Sequence, residues 1–357
     1  DHQAGAFYTP RFLAEVVLDI ALEKFDSLIG KKFLDPACGS GIFLVGLFIR
    51  IAEEWKQANP KARNDRRCRE LLELMKSSLF GVDINPTACR ITAFSLYLAY
   101  LDQLTPRDIQ ELQAKGHVLP HLVYDPQARH VKADKGNIYY ADFFTKNQNI
   151  PADIDLVIGN PPWGGIATDE EPSGQWCKAN SKIIPDKQIA AAFSWKAAEY
   201  VNDSGRVCFI LPHGLLFNHS TTAVSYQKQW ISQNKIERVF NLSDFRWFLF
   251  NRAVYPAVVV SYQKGKPPLG HQIDYWSPKA DWTITQAEVI TVSPIDRSSV
   301  SLKDVLQDLD SDDAPQIWKQ KFWASPRDVR LLDRLSLYPR LRDHVRKTRE
   351  TDSNKPW

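Results

Sequence analysis

Long apolar runs are missing: nowhere in the 357 residues does an uninterrupted apolar stretch approach the roughly 20 residues of a membrane-spanning helix. No membrane association is expected. An excess of one charge is missing too, since 45 Lys/Arg against 42 Asp/Glu leave +3, too little by itself to argue for a polyanionic partner. Cysteines are few. Cys38, Cys68, Cys89, Cys177 and Cys208 are odd in number and widely spaced, with no CxxC pair or His-rich neighbour. Neither a disulfide framework nor a zinc site is expected, and a reducing compartment fits best. The opening Asp1-His2-Gln3 has no initiator Met and no charged-then-apolar leader, which predicts a chain without a secretory signal and a fragment of something longer. No internal repeat is visible. What is present is a large core: 44% of the residues are apolar, and 11 Trp, 12 Tyr and 18 Phe give far more burial potential than a disordered chain has.

Short β-branched runs alternate with longer amphipathic stretches, the pattern of βαβ units stacked on a mostly parallel sheet. Seven strands are expected, at Lys32 to Leu34, Leu79 to Asp83, Asn137 to Tyr140, Asp155 to Gly159, Arg206 to Leu211, Ile236 to Asn241 and Ala257 to Tyr262. Helical spacing covers Arg11 to Lys24, Ile42 to Lys56, Pro86 to Leu101, Ile189 to Tyr200 and Ala223 to Gln233. Leu242 to Pro256 is too short for a parallel crossover and has no helical period, so the last strand should return antiparallel. The polar run Gly164 to Lys187 is expected as a long mobile loop. Insertions near Gln57 to Ser77 and Asp102 to Lys135 look partly helical. Past Gln263 the texture breaks at Lys264-Gly265-Lys266-Pro267-Pro268, so residues 1–263 are expected as one domain and 264–357 as an extension without a sheet of its own. Its end is basic, with 11 Lys/Arg against 5 Asp/Glu from Gln316 to Trp357. That stretch is either a solvated helical face or a surface that meets phosphates.

Four strand ends carry the chemistry. After the first, Asp35-Pro36-Ala37-Cys38-Gly39-Ser40-Gly41 is an acidic residue and a glycine turn opening a helix, which lets backbone approach a ligand closely. Neither GxxxxGK[ST] nor a complete GxGxxG is present, so nucleotide hydrolysis and dinucleotide binding both lose support. Asp83 closes the second strand, where a carboxylate can take a ribose diol, or else cap the helix beginning near Pro86. Asp142-Phe143-Phe144 follows the third strand and could accept from an adenine amino group beside an aromatic wall. Asn160-Pro161-Pro162-Trp163 ends the fourth. Both prolines lack N–H donors, so the turn is rich in acceptors and suits a substrate that brings its own NH2, with Trp163 as a stacking face for a planar base.

In this order, the Asp-Pro-Ala-Cys-Gly-Ser-Gly turn, Asp83, Asp142 and Asn-Pro-Pro-Trp resemble the amino-group methyltransferases that use S-adenosylmethionine. The segment Phe7-Tyr8-Thr9-Pro10 ahead of the turn narrows this to a resemblance to the γ-class adenine-N6 DNA methyltransferases of restriction-modification and phage-defence systems. It covers residues 5 to 263. It implies a class I, Rossmann-like doubly wound sheet with an antiparallel last strand, S-adenosylmethionine as methyl donor, double-stranded DNA as partner and a prokaryotic cytoplasm. A specificity, nuclease or helicase subunit or domain is implied as a further partner. By the resemblance, Thr9, with Phe7 and Tyr8 beside it, would contact the methionine carboxylate; Asp35, Ala37 and Gly39 would hold the amino-acid end. Asp83 would take the ribose, Ile84 and Phe143 would pack on the adenine, and Asp142 would accept from its amino group. Asn160 and the Pro161 carbonyl would bind the target N6, and Trp163 would stack on the target base. Phe250 would cover the opposite face of that base, with Phe248 and Trp247 as neighbours in the same stretch. In the family a target-recognition domain follows the catalytic one, and the ninety or so residues here imply that it is absent or truncated.

The implied reaction is methylation of a flipped-out adenine, with no metal and no covalent enzyme intermediate. Two alternatives stay open: an N-methyltransferase for protein glutamine or RNA guanine, since similar turns occur there, and a catalytically idle DNA-binding scaffold module.

Overall fold

All seven expected strands pair into one sheet. The structure, a computed structural model, describes residues 8–116, 118–125, 136–145, 150–164, 168–250, 256–281, 286–311, 314–323, 326–335 and 337–339, without the side chains of 323, 326–329 and 333. Phe7 lies outside the described residues. The strands are β1 (Phe33–Asp35), β2 (Leu79–Asp83), β3 (Val123–Tyr124), β4 (Ile138–Tyr140), β5 (Ile154–Gly159), β6 (Val201–Pro212), β7 (Asn234–Asn241), β8 (Ala257–Lys264), β9 (Gln272–Trp276) and β10 (Arg297–Ser301). Their order is β10-β9-β7-β8-β6-β5-β1-β2-β4-β3. β8 runs antiparallel to both β6 and β7, as the short 242–256 connection requires, and β10 runs antiparallel to β9. The remaining pairs are parallel.

Alternation along the strands divides the core in two. On β5, Leu156 and Ile158 join one apolar cluster while Ile154 and Val157 join the other; on β6, Cys208 and Ile210 separate from Val207, Phe209 and Leu211 in the same way. One face is covered by α1 (Arg11–Leu22), α2 (Ile42–Ala58), α3 (Asn64–Ser78) and α4 (Pro86–Leu101). The other is covered by α7 (Ile189–Lys196), α8 (Thr221–Gln233) and α9 (Leu302–Leu309). Strands buried on both sides read as continuous apolar runs, which is why they were visible in the sequence.

The additional strands had weaker signals. β9 alternates exposed and buried residues, and β10 is polar except at the buried Val300; both lengthen the common sheet beyond β7. The polar run 164–187 is not wholly loop. Pro172–Ala179 forms a helix, α6, with Cys177 buried in the core and Trp176 packed against it. Tertiary contact, not the local pattern, orders that segment. The insertions form α3 and α5 (Pro106–Ala114), the latter started by a capping box between Thr105 and Asp108. Among the described residues no helix is long and apolar enough to cross a membrane.

β1 lies between β2 and β5, so the chain leaves it toward opposite sides of the sheet. Strand order reverses there, and the crevice beyond the C-terminal ends of β1 and β5 is where ligands bind in sheets of this kind.

Candidate active site

The turn after β1 is built for close approach. Gly39 and Gly41 have φ of +54° and +83°, in the left-handed region, and a Cβ on Gly41 would sit 2.9 Å from Thr92 Cγ2. A Cβ on Gly39 would meet nothing within 4 Å, so there is open space beside its backbone. The carboxylate of Asp83 holds this turn: Oδ2 accepts from Gly39 N–H at 2.9 Å, and Oδ1 accepts from Asn85 N–H at 2.8 Å. The cap of α4 is Asn85, whose side chain accepts from Thr87 N–H at 2.9 Å, so Asp83 is not spent on capping. Each Asp83 oxygen keeps a further lone pair for a ligand hydroxyl. Beside it Ile84 is 68% exposed, an uncovered apolar side chain at the strand end.

Asp35 is nearly inaccessible. Its Oδ1 accepts from Ala37 N–H at 3.1 Å and lies where a Cβ on Gly159 would come within 2.7 Å, so the residue before Asn160 is a glycine for want of space. Burial first, and then the neighbouring Asp83 charge, push its carboxyl up to about 8 against the contribution of the Ala37 N–H. Burial also raises Asp83, against its two backbone hydrogen bonds. The folded state favours neutral Asp35, whereas the unfolded chain ionises near the usual 3.8, so this contribution is full below about pH 4 and is lost as pH rises through about 8. The thermal midpoint of the ligand-free protein should therefore decline from about pH 5 to about pH 9, and decline less in Asp35→Asn. Parallel curves in scanning calorimetry would contradict a neutral Asp35.

Asp142, just beyond β4, accepts from Phe144 N–H at 2.7 Å. Phe143 goes elsewhere: it is 3% exposed and stacks on Phe193 and Tyr200 in the core, with centroids 5.3 and 5.1 Å away. Its side chain supports the strand end from below. Sequence reasoning overlooked Lys196, whose buried ammonium donates to the Phe144 carbonyl at 3.0 Å and lies over the rings of Phe143, Phe144 and Trp176. Burial lowers its pKa. A lysine amid alanines on α7 offered no pattern to single it out.

Across the crevice, Asn160 Nδ2 donates to Thr9 Oγ1 at 3.1 Å, and Asn160 Oδ1 accepts from Trp163 Nε1 at 2.8 Å. Pro161 and Trp163 are buried, while Pro162 is partly exposed. The Trp163 ring meets Phe250 edge-on, 5.1 Å between centroids at 78°. Phe248 instead packs on Phe12 of α1, and Trp247 is 75% exposed beneath the Arg246 guanidinium. Of the three candidate aromatics, Phe250 is thus the one brought to Trp163. Tyr8 is exposed. The fold adds His213, directly after β6, stacked on Phe217 at 4.2 Å and pushed down to about 4 by burial and by Lys319. A cavity of about 440 Å³ between α3 and α5 includes none of these residues.

Two family models match overlapping parts of the chain: N-6 DNA Methylase over residues 1–114, which contain the Thr9 segment, the glycine turn and Asp83, and Eco57I restriction-modification methylase over residues 77–248, which contain Asp142 and the Asn160 turn. Over residues 1–248 taken together, the chain is similar to the N-6 adenine DNA methylases of restriction-modification systems. Among curated relatives, the adenine-specific methyltransferase PglX of Streptomyces coelicolor is 28% identical over 177 residues, 43% of this chain and 14% of its own. The EcoEI type I restriction enzyme methylase subunit of Escherichia coli is 23% identical over 306 residues, 78% of this chain and 52% of its own. The chain thus spans about half or less of these relatives' length. In fold, it is similar to a type I restriction-modification methyltransferase subunit from Streptococcus thermophilus, with a TM-score of 0.53 at 15% identity, over 86% of this chain and 59% of that one.

Proposed function

We propose that this protein transfers a methyl group from S-adenosylmethionine to the exocyclic N6 of an adenine flipped out of double-stranded DNA, as part of a restriction-modification or phage-defence system. The observation that carries the reading is the meeting of Thr9, Asn160, Trp163 and Phe250 at the crevice where strand order reverses. When bound, S-adenosylmethionine supplies an electrophilic sulfonium methyl. The residues present fit that cofactor: Asp83 has acceptor capacity for a ribose diol, Ile84 an uncovered apolar face for an adenine, Asp142 a carboxylate at the adjacent strand end, and Gly39 open space beside its backbone.

The chain's own contribution is acceptors and position. An adenine N6 is a poor nucleophile because its lone pair is delocalised into the ring. Asn160 Oδ1 and the Pro161 carbonyl draw its two hydrogens, so the nitrogen turns toward tetrahedral as it attacks in line. Trp163 and Phe250 stack on the flipped base, and their π-faces offset part of an unstacking cost of a few kcal/mol. The indole N–H donates to Oδ1 and the two rings meet edge-on, so an entering base parts the rings and replaces that hydrogen bond with its own amino group. DNA sequence recognition and any cleavage would rest with specificity, nuclease or helicase parts of the system. Tritium transfer from labelled S-adenosylmethionine to adenine-containing duplex, run beside RNA and protein acceptors, tests the reading. Label in RNA or protein and none in duplex would overturn it. Methylome sequencing of cells carrying the full-length protein would give the base and its context together.

A further inference from the structure

In the connection from β7 to β8, Phe245, Leu249 and Phe250 are buried and Phe248 packs on Phe12, but Trp247 is left outside, 75% exposed. Among the described side chains it is the one exposed tryptophan. Its companion is an exposed cation: the Arg246 guanidinium lies over the indole, 4.9 Å from the ring centroid. Both stand on the four-residue helix Arg246–Leu249 that follows β7. β6 is parallel to β5, β8 is antiparallel to β6, and β7 is antiparallel to β8, so the end of β7 lies at the same edge of the sheet as the end of β5, which carries Asn160. Three residues beyond Trp247, a span of at most about 11 Å, Phe250 reaches Trp163. Trp247 therefore stands on the rim of the crevice. A broad π-face beside a positive charge matches the two parts of a nucleic acid, its bases and its phosphates.

We propose that Trp247 fills the place an extruded adenine leaves in the duplex, stacking on the neighbouring base pair while Arg246 turns from the indole to a backbone phosphate. The inference rests on the reading above and deepens it. A base that enters between Trp163 and Phe250 leaves its duplex lying against the rim, where Trp247 is. Extrusion breaks the stacking on both sides of the base; an aromatic ring in the gap restores part of it and opposes the base's return. The three aromatics of the stretch thus divide the work by where they point: Phe248 ties it to α1, Phe250 faces Trp163, and Trp247 faces outward to the duplex.

The test uses the full-length protein and a duplex of the sequence that methylome sequencing shows to be modified, in two forms: the target adenine paired with thymine, and the same adenine mismatched with cytosine, which costs less to extrude. Trp247→Ala should slow single-turnover methylation of the paired adenine about 10- to 100-fold, the range of one lost base–aromatic stack, and that of the mismatched adenine by no more than about 3-fold. Trp247→Phe keeps a ring and should stay within about 3-fold of wild type on both. Arg246→Gln should lower the slope of log affinity for duplex against log salt by about 1. Affinity for S-adenosylhomocysteine should be the same in all three variants, which shows that the crevice is intact. Equal losses on the paired and mismatched duplexes, or a Trp247→Ala protein as fast as wild type on both, would overturn the inference, and an unchanged salt slope would remove Arg246 from the phosphate. A wild-type protein that labels RNA or protein and neither duplex would instead remove the DNA reading itself.

Discussion

Replacing Asn160 with alanine should lower methyl transfer by about 100-fold or more while leaving cofactor affinity within about 3-fold. The size of the effect follows from where the lost acceptor acts. Oδ1 contributes little to holding the ground-state base, but it draws a proton-bearing nitrogen toward tetrahedral geometry as charge develops on it, and an interaction realised mainly in the transition state lowers kcat rather than raising KM. The fold supports the separation of the two readouts. Asn160 closes β5 and contacts Thr9 and Trp163, whereas the Gly39 turn and Asp83 are held together by their own hydrogen bonds across β1 and β2. Titration calorimetry with S-adenosylhomocysteine and a filter-binding methylation assay measure the two quantities. Equal losses in both would mean that Asn160 supports the crevice as a whole and has no special part in the transfer.

Asp83→Ala should do the reverse, weakening cofactor affinity about 10- to 100-fold, the range expected when hydrogen bonds to an ionised carboxylate of about 1.5–3 kcal/mol are lost. Two effects add here. The acceptors for the ribose diol disappear, and the N–H groups of Gly39 and Asn85 lose the oxygen that aligns them. Asp83→Asn separates the two, because it keeps one acceptor at the same place without the charge, and its affinity should fall between wild type and alanine. With saturating cofactor the alanine variant should recover most of its kcat. Unchanged affinity in Asp83→Ala would remove the ribose assignment.

Much of the sheet could be read from one strand of text because its central strands are covered on both faces. Leu79 to Asp83 and Asp155 to Gly159 had to be continuous apolar runs, and continuous apolar runs ending in Asp or Asn are rare enough to notice. β9 and β10 escaped for the opposite reason. They alternate or are largely polar, and they find partners only because β7 presents an unpaired side after β8 has folded back. The helix at Pro172–Ala179 likewise owes its order to burial of Cys177 and the contact of Trp176 with Phe144. Phe143 shows the limit most plainly. Its position beside Asp142 suited a cofactor wall, but in the turn after β4 the ring packs into the core and stacks on Phe193.

Residue types at strand ends are a local matter: an acceptor-rich Asn-Pro-Pro-Trp, an Asp closing β2, a glycine turn opening α2 were all determined by the order of amino acids, because each is a property of a few adjacent side chains and their backbone freedom. Which of them touch was decided only in three dimensions. Thr9 reaches Asn160, Phe250 reaches Trp163 while Phe248 turns to Phe12, and Gly159 has no room for a Cβ beside Asp35. Such contacts depend on strand order and on which face of the sheet a side chain leaves, and neither quantity has a representation in a short stretch of sequence.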